Sequence, residues 1–124
     1  MKEILYVALG GSLGSVGRYL IGLFYAQFST SSYPLGTLTV NLLGSLIIGV
    51  LSALYIKSGS STIQFMLITG FCGGFTTFST FSLDSLKLLQ SGEYTQFLMY
   101  ATVSMIGGIF LCISGFWITE KMAL

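Results

Sequence analysis

Charge is what this chain has least of. Only 7% of its 124 residues are Asp, Glu, Lys or Arg, against 53% hydrophobic, and the mean hydropathy is +0.87. A soluble domain carries about 25% charged residues, so a water-facing globule is excluded and the chain reads as an integral membrane protein. Histidine is absent, which removes the usual proton relay and the commonest metal ligand. There is no basic run and the net charge is only +1, so nothing points to nucleic acid. Cys72 and Cys112 stand alone in apolar segments and read as small core residues, not as a disulfide. The first apolar segment is too long for a cleavable signal and lacks its basic start and small-residue exit. Carboxylates are missing from the membrane interior, which argues against a proton-coupled cation pump. No nucleophile–base pair or metal cluster suggests an enzyme.

What is present is four apolar segments. At about 20 residues per span they fill the length and leave only short loops. The expectation is a single all-α membrane domain over 1–124, with spans near 4–28, 34–56, 62–89 and 95–118. Within the third span lies the stretch that organises the rest, Gly70-Phe71-Cys72-Gly73-Gly74-Phe75-Thr76-Thr77-Phe78-Ser79-Thr80-Phe81-Ser82. Adjacent glycines weaken a helix by about 1 kcal/mol each relative to alanine, so the third helix is expected to break at Gly73-Gly74. Five hydroxyl residues within seven positions, Thr76 to Ser82, are too polar to face lipid together. A break in hydrocarbon survives only inside protein or beside a water-filled cavity, and a broken membrane helix is a common way to build an ion site. The first half would end in free carbonyls and the second begin with free N–H groups near Thr76-Thr77.

The remaining polar residues are few enough to take singly. In segment one, Gly10, Gly14 and Gly17 read as close-packing positions. Arg18, the only Arg, allows two compatible readings: a side chain snorkelling to the interface, or an electropositive group at the mouth of an anion path. In the loop before segment two, Ser31 or Ser32 can cap the next helix and Pro34 suits its first turn. Asn41 can tie two helices together or offer its NH2 group to an anion, and its position slightly favours the tie. Phe78 and Phe81 share a helix face, interleaved with the hydroxyls of Ser79 and Thr80. Asp84 lies near the far end, within reach of water or Lys87. Tyr100 and Ser104 share one face of segment four, with Gly107, Gly108 and Cys112 extending its small-residue side. Trp117 fits an interfacial anchor.

Lys2, Lys57 and Lys121 fall on one side of four spans, Arg18 and Lys87 on the other. Three against two gives almost no orientation bias. A chain without a preferred orientation can insert both ways and pair antiparallel, which would bring two helix breaks together at the midplane with their carbonyls around a cation. Hydroxyls and amides can serve an anion or a cation. Phenylalanine edges, the positive part of the ring quadrupole, tip the balance toward a narrow path for a small anion.

Gly14-x-x-x-Arg18-Tyr19, Thr37-Leu38-x-Val40-Asn41-x-x-Gly44 and Gly70-Phe71-Cys72-Gly73-Gly74-x-Thr76-Thr77-Phe78-Ser79-Thr80-Phe81 resemble the Fluc (CrcB) family of bacterial fluoride channels, and the likeness runs through all four segments. The resemblance implies a passive fluoride exporter of the bacterial inner membrane, an antiparallel dual-topology homodimer with two fluoride pathways and a structural sodium ion at its centre. By motif position, Phe78 and Phe81 would turn ring edges to fluoride and Asn41 its amide. Ser79, Thr80, Tyr100 and Ser104 would supply hydroxyls, Arg18 would stand at the vestibule, and Gly73 and Thr76 would give backbone carbonyls to sodium. Two positions depart from the pattern: Gly108 ends the hydroxyl row one turn beyond Ser104, and Asp84 replaces a longer Glu. The rival of the same size is a small dual-topology multidrug exporter, which needs a membrane-embedded carboxylate. Segment one has no acid after Glu3. A non-conducting membrane subunit is the other alternative.

Overall fold

In a computed structural model, which describes residues 1–122, the described residues form helices joined by short turns and irregular stretches, with no β-strand among them. Four segments are long and apolar enough to cross a membrane: Lys2–Phe28, Leu35–Ser58, Thr62–Gln90 and Tyr94–Met122. We label them α1 (Lys2–Phe28), α2 (Leu35–Ser58), α3 and α4 (the two parts of the third span, 62–75 and Phe78–Gln90) and α5 (Tyr94–Met122). The α3 backbone is π-helical over Thr62–Cys72 and α-helical over Gly73–Phe75, and α5 has a second π-helical stretch at Val103–Gly107. Such widened turns are rare and tend to mark functional regions.

Burial is inverted relative to a soluble bundle. On α1 the buried positions are Gly10 and Gly14, while Leu5, Leu9, Leu13 and Leu20 are exposed to what would be lipid. Side chains gain nothing by leaving lipid for one another, so association rests on close backbone contact. Gly14 shows why: a Cβ there would lie 2.8 Å from the Phe75 amide nitrogen and would collide with the Phe71 carbonyl. The same glycine seam joins α2 to α5, where a Cβ on Gly49 would reach the Phe116 nitrogen at 3.0 Å. The structure thus pairs α1 with α3 and α2 with α5.

The loops are short. Ser31 and Ser32 do not cap α2, as the sequence led us to expect; Pro34 itself stands at the cap position, and the hydroxyls of Ser29 and Ser31 accept from Ser31 N–H (3.3 Å) and Tyr33 N–H (3.1 Å) to close the turn. α2 ends on Gly59 and α4 runs out through Gly92, both at positive φ (61° and 73°), the left-handed conformation that favours glycine after a helix.

Candidate ion pathway

The interruption of the third span lies at Thr76-Thr77, just beyond the expected Gly73-Gly74. Gly73 keeps helical dihedrals (φ −63°, ψ −38°), whereas Thr76 (−85°, 159°) and Thr77 (−154°, 121°) are extended. Gly74 serves close packing instead, since a Cβ there would come within 3.1 Å of Ser15 Oγ and of the Gly11 Cα, whereas Gly73 faces open space. The threonines are β-branched, suited to extended backbone, and the Thr76 hydroxyl donates to the Cys72 carbonyl at 2.8 Å, the same oxygen that accepts the Thr76 N–H at 3.0 Å.

Groups freed by the break need partners within the membrane, and three side chains supply them to the Thr77 N–H and carbonyl, the Gly74 carbonyl and the Thr80 N–H. Thr77 N–H, which an unbroken helix would direct to the Gly73 carbonyl, donates to Asn41 Oδ1 at 2.8 Å. Asn41 Nδ2 donates back to the Thr77 carbonyl at 3.0 Å. Arg18 Nε donates to the Gly74 carbonyl at 3.0 Å, placing a cation at the negative end of α3. Thr77 then caps α4: its hydroxyl accepts from Thr80 N–H at 3.1 Å and donates to Thr80 Oγ1 at 3.2 Å. Asn41 and Arg18 are therefore both engaged with the backbone at the break, the tie that the position of Asn41 favoured.

Beside this break runs a groove of about 320 Å³. Asn41 and Ser45 come to it from α2, Phe78 and Phe81 from α4, and Ser104 from α5. The two rings are 5.5 Å apart between centroids at 37°. Among the described residues no charged side chain lines the groove; its polar groups are hydroxyls and the Asn41 amide, beside the two phenyl rings and the positive N-terminal end of α4. Ser104 Oγ is buried without a hydrogen-bond partner, a condition that costs about 1–3 kcal/mol. Phe78 is 73% exposed, so this chain alone leaves one wall of the groove open.

Other predicted residues lie elsewhere. Arg18 and Thr80 line a second cavity of about 370 Å³ with Ser15, Tyr19 and Thr37, and Thr77 borders both spaces. Ser79 sits on the exposed face of α4, its hydroxyl 3.3 Å from that of Thr77. Tyr100 is fully buried behind Phe81, with ring centroids 5.0 Å apart, and its hydroxyl donates to Asp84 Oδ2 at 3.2 Å. Asp84 thus meets Tyr100 across the helix pair. Tyr33, in the α1–α2 loop, packs edge-on to Tyr100 at 5.9 Å, and its partial burial pushes the phenol above its ordinary pKa. Sequence reasoning did not single out Ser45, or Thr77 as a cap. Both carry a signal: Ser45 is four residues from Asn41 and so on its face, and Thr77 stands three before Thr80, the spacing of an N-cap hydroxyl and its amide.

Comparison with known proteins gives a consistent picture. A family model described as CrcB-like protein, Camphor Resistance (CrcB), matches residues 5–116. A Leptospira interrogans protein named fluoride-specific ion channel FluC is 45% identical over 122 residues, covering 97% of this chain and 96% of its own. Proteins of the same name from Phocaeicola vulgatus (45% over 121 residues; 97% and 100% covered) and Chlorobium chlorochromatii (47% over 108 residues; 86% and 83% covered) are similarly close.

Proposed function

Because the chain belongs to the CrcB family, we propose that it conducts fluoride passively along the groove of Asn41, Phe78, Phe81 and Ser104. It is a multi-pass membrane protein and a fluoride channel, not an enzyme. The observation that carries the path is the buried, unpartnered hydroxyl of Ser104, a residue that lines the same groove as the two phenylalanines. A fluoride ion there accepts the hydroxyl proton that no protein atom takes, and charge-assisted bonds of this kind are about twice as strong as neutral ones. Ring edges of Phe78 and Phe81 and the second N–H of Asn41 add positive charge without a full cation, so the ion is held weakly enough to leave. Chloride, larger and a weaker acceptor, gains less from the same groups.

The second cavity is the aqueous approach, with Arg18 as its positive charge and Thr80 its hydroxyl. Tyr100, beneath Phe81, and Ser79, on the outer face, continue the hydroxyl track at either side of the break. The open wall at Phe78 is completed by a second copy. The near-even Lys and Arg count supports an antiparallel, dual-topology homodimer in the bacterial inner membrane, with two pathways that export fluoride down its gradient. Sodium fits the centre of such a dimer. Gly73 faces open space, with nothing within 4 Å of where its Cβ would stand, and its carbonyl has lost the Thr77 N–H to Asn41. Backbone carbonyls are the hard oxygen donors that alkali and alkaline-earth cations take. Gly73 and Thr76 of both copies would hold the ion, and its charge would offset the two α3 C-terminal dipoles.

Fluoride efflux from liposomes holding the purified protein, with chloride measured in parallel, tests the function. Fast fluoride flux without chloride flux or a proton requirement is expected. A folded dimer that passes neither ion would reduce the chain to a non-conducting subunit.

A further inference from the structure

The hydroxyl row on α5 stops one turn early. Tyr100, Ser104 and Gly108 recur every four residues and all turn inward: Tyr100 is fully buried, Ser104 Oγ is buried, and Gly108 is buried too. Gly108 has no side chain to offer. The space its side chain would enter is nevertheless polar, because a Cβ built on Gly108 would lie 3.3 Å from Ser45 Oγ on α2. Ser45 lines the same groove as Asn41, Phe78, Phe81 and Ser104.

We infer that Ser45 is a fluoride-contacting residue that supplies from α2 the hydroxyl Gly108 does not supply from α5. Its chemistry suits the task. Ser45 Oγ donates to the Asn41 carbonyl at 2.7 Å, one helical turn back, so the group is satisfied within the membrane without any ligand. A serine hydroxyl rotates freely to suit its acceptor, and the i−4 carbonyl bond it gives up is a weak local one. Turning the proton from a neutral carbonyl to an anion exchanges that bond for a charge-assisted one. Ser104 and Ser45 would then donate to the same groove from α5 and α2, one free of protein partners and one released on arrival.

The assignment rests on the fluoride-channel reading, and liposome flux separates the two. Ser45→Ala should lower fluoride flux about tenfold, the loss of one hydrogen bond to a charged partner, with the dimer intact by size-exclusion chromatography. Moving the hydroxyl across the groove should repair it: Ser45→Ala with Gly108→Ser recovers flux to within about threefold of the original, whereas Ser45→Ala with Gly108→Ala, which fills the same space without an oxygen, does not. Flux unchanged in Ser45→Ala, or equal recovery by both double variants, would overturn the role of Ser45 while leaving the channel standing. A folded, unsubstituted protein that passes no fluoride would overturn the channel reading, and the Ser45 assignment with it.

Discussion

At Asn41 both ends of one amide are bound to the backbone of Thr77, 2.8 Å on one side and 3.0 Å on the other. Asn41→Ala therefore does more than remove an ion contact. It leaves an N–H and a carbonyl unpaired inside a membrane span, at about 1–3 kcal/mol each. Both the melting temperature in detergent and the fluoride flux should fall; lost flux with unchanged melting would make Asn41 an ion ligand first and a brace second. The phenylalanines behave differently. Phe78→Ile and Phe81→Ile keep apolar volume but lose the ring edge, and flux should drop about tenfold or more in each while the protein keeps its size-exclusion profile. Phe81→Ile should also cost stability, because that ring packs on buried Tyr100, whereas Phe78 is mostly exposed. Normal flux in both variants would remove the rings from the path. Asn41 was legible in the sequence as a polar type out of place in a membrane helix, and the two phenylalanines by the hydroxyls interleaved with them. Their partners were not: Asn41 and Thr77 are 36 positions apart, and helical spacing relates only neighbours on one helix.

The third span is two helices held in line by contacts from α1 and α2. Glycines announced a break there, yet the backbone stays helical through Gly73 and leaves the helix at Thr76-Thr77. The reason is that intrinsic propensity is a weak prior: α1 presses on Gly70 and Gly74, and the helix yields where β-branched threonines find outside partners. Arg18 secures the end of α3 through its Nε on the Gly74 carbonyl. A sequence shows a lone arginine but not that its nitrogen meets a helix end 56 positions away. Arg18→Lys keeps the charge and removes this donor, so it should lower stability by about 1.5–3 kcal/mol, the range for a hydrogen bond from a charged group, read as an earlier thermal transition in detergent. A role confined to attracting anions predicts the reverse, with lysine preserving stability and the salt dependence of flux both unchanged.

For the molecule as a whole, four membrane-length helices followed directly from composition, since 7% charge admits no other surface. What covers the open groove is a question of orientation. With three cations on one side and two on the other, neither insertion is preferred, and the groove is open at Phe78, where the proposed second copy would close it. If the partner is an inverted copy, orientation is a functional variable that charge can set. Ser61→Lys and Glu120→Lys together add two cations to the side of Lys2, Lys57 and Lys121, raising the count to five against two. A C-terminal reporter should read both sides of the membrane for the original chain and one side for the variant, and the variant alone should lose fluoride flux because no inverted partner remains. Coexpression with a chain biased the other way should restore it. A variant that is driven into one orientation and still conducts by itself would rule out the antiparallel pair and leave a parallel assembly or a monomer to close the groove.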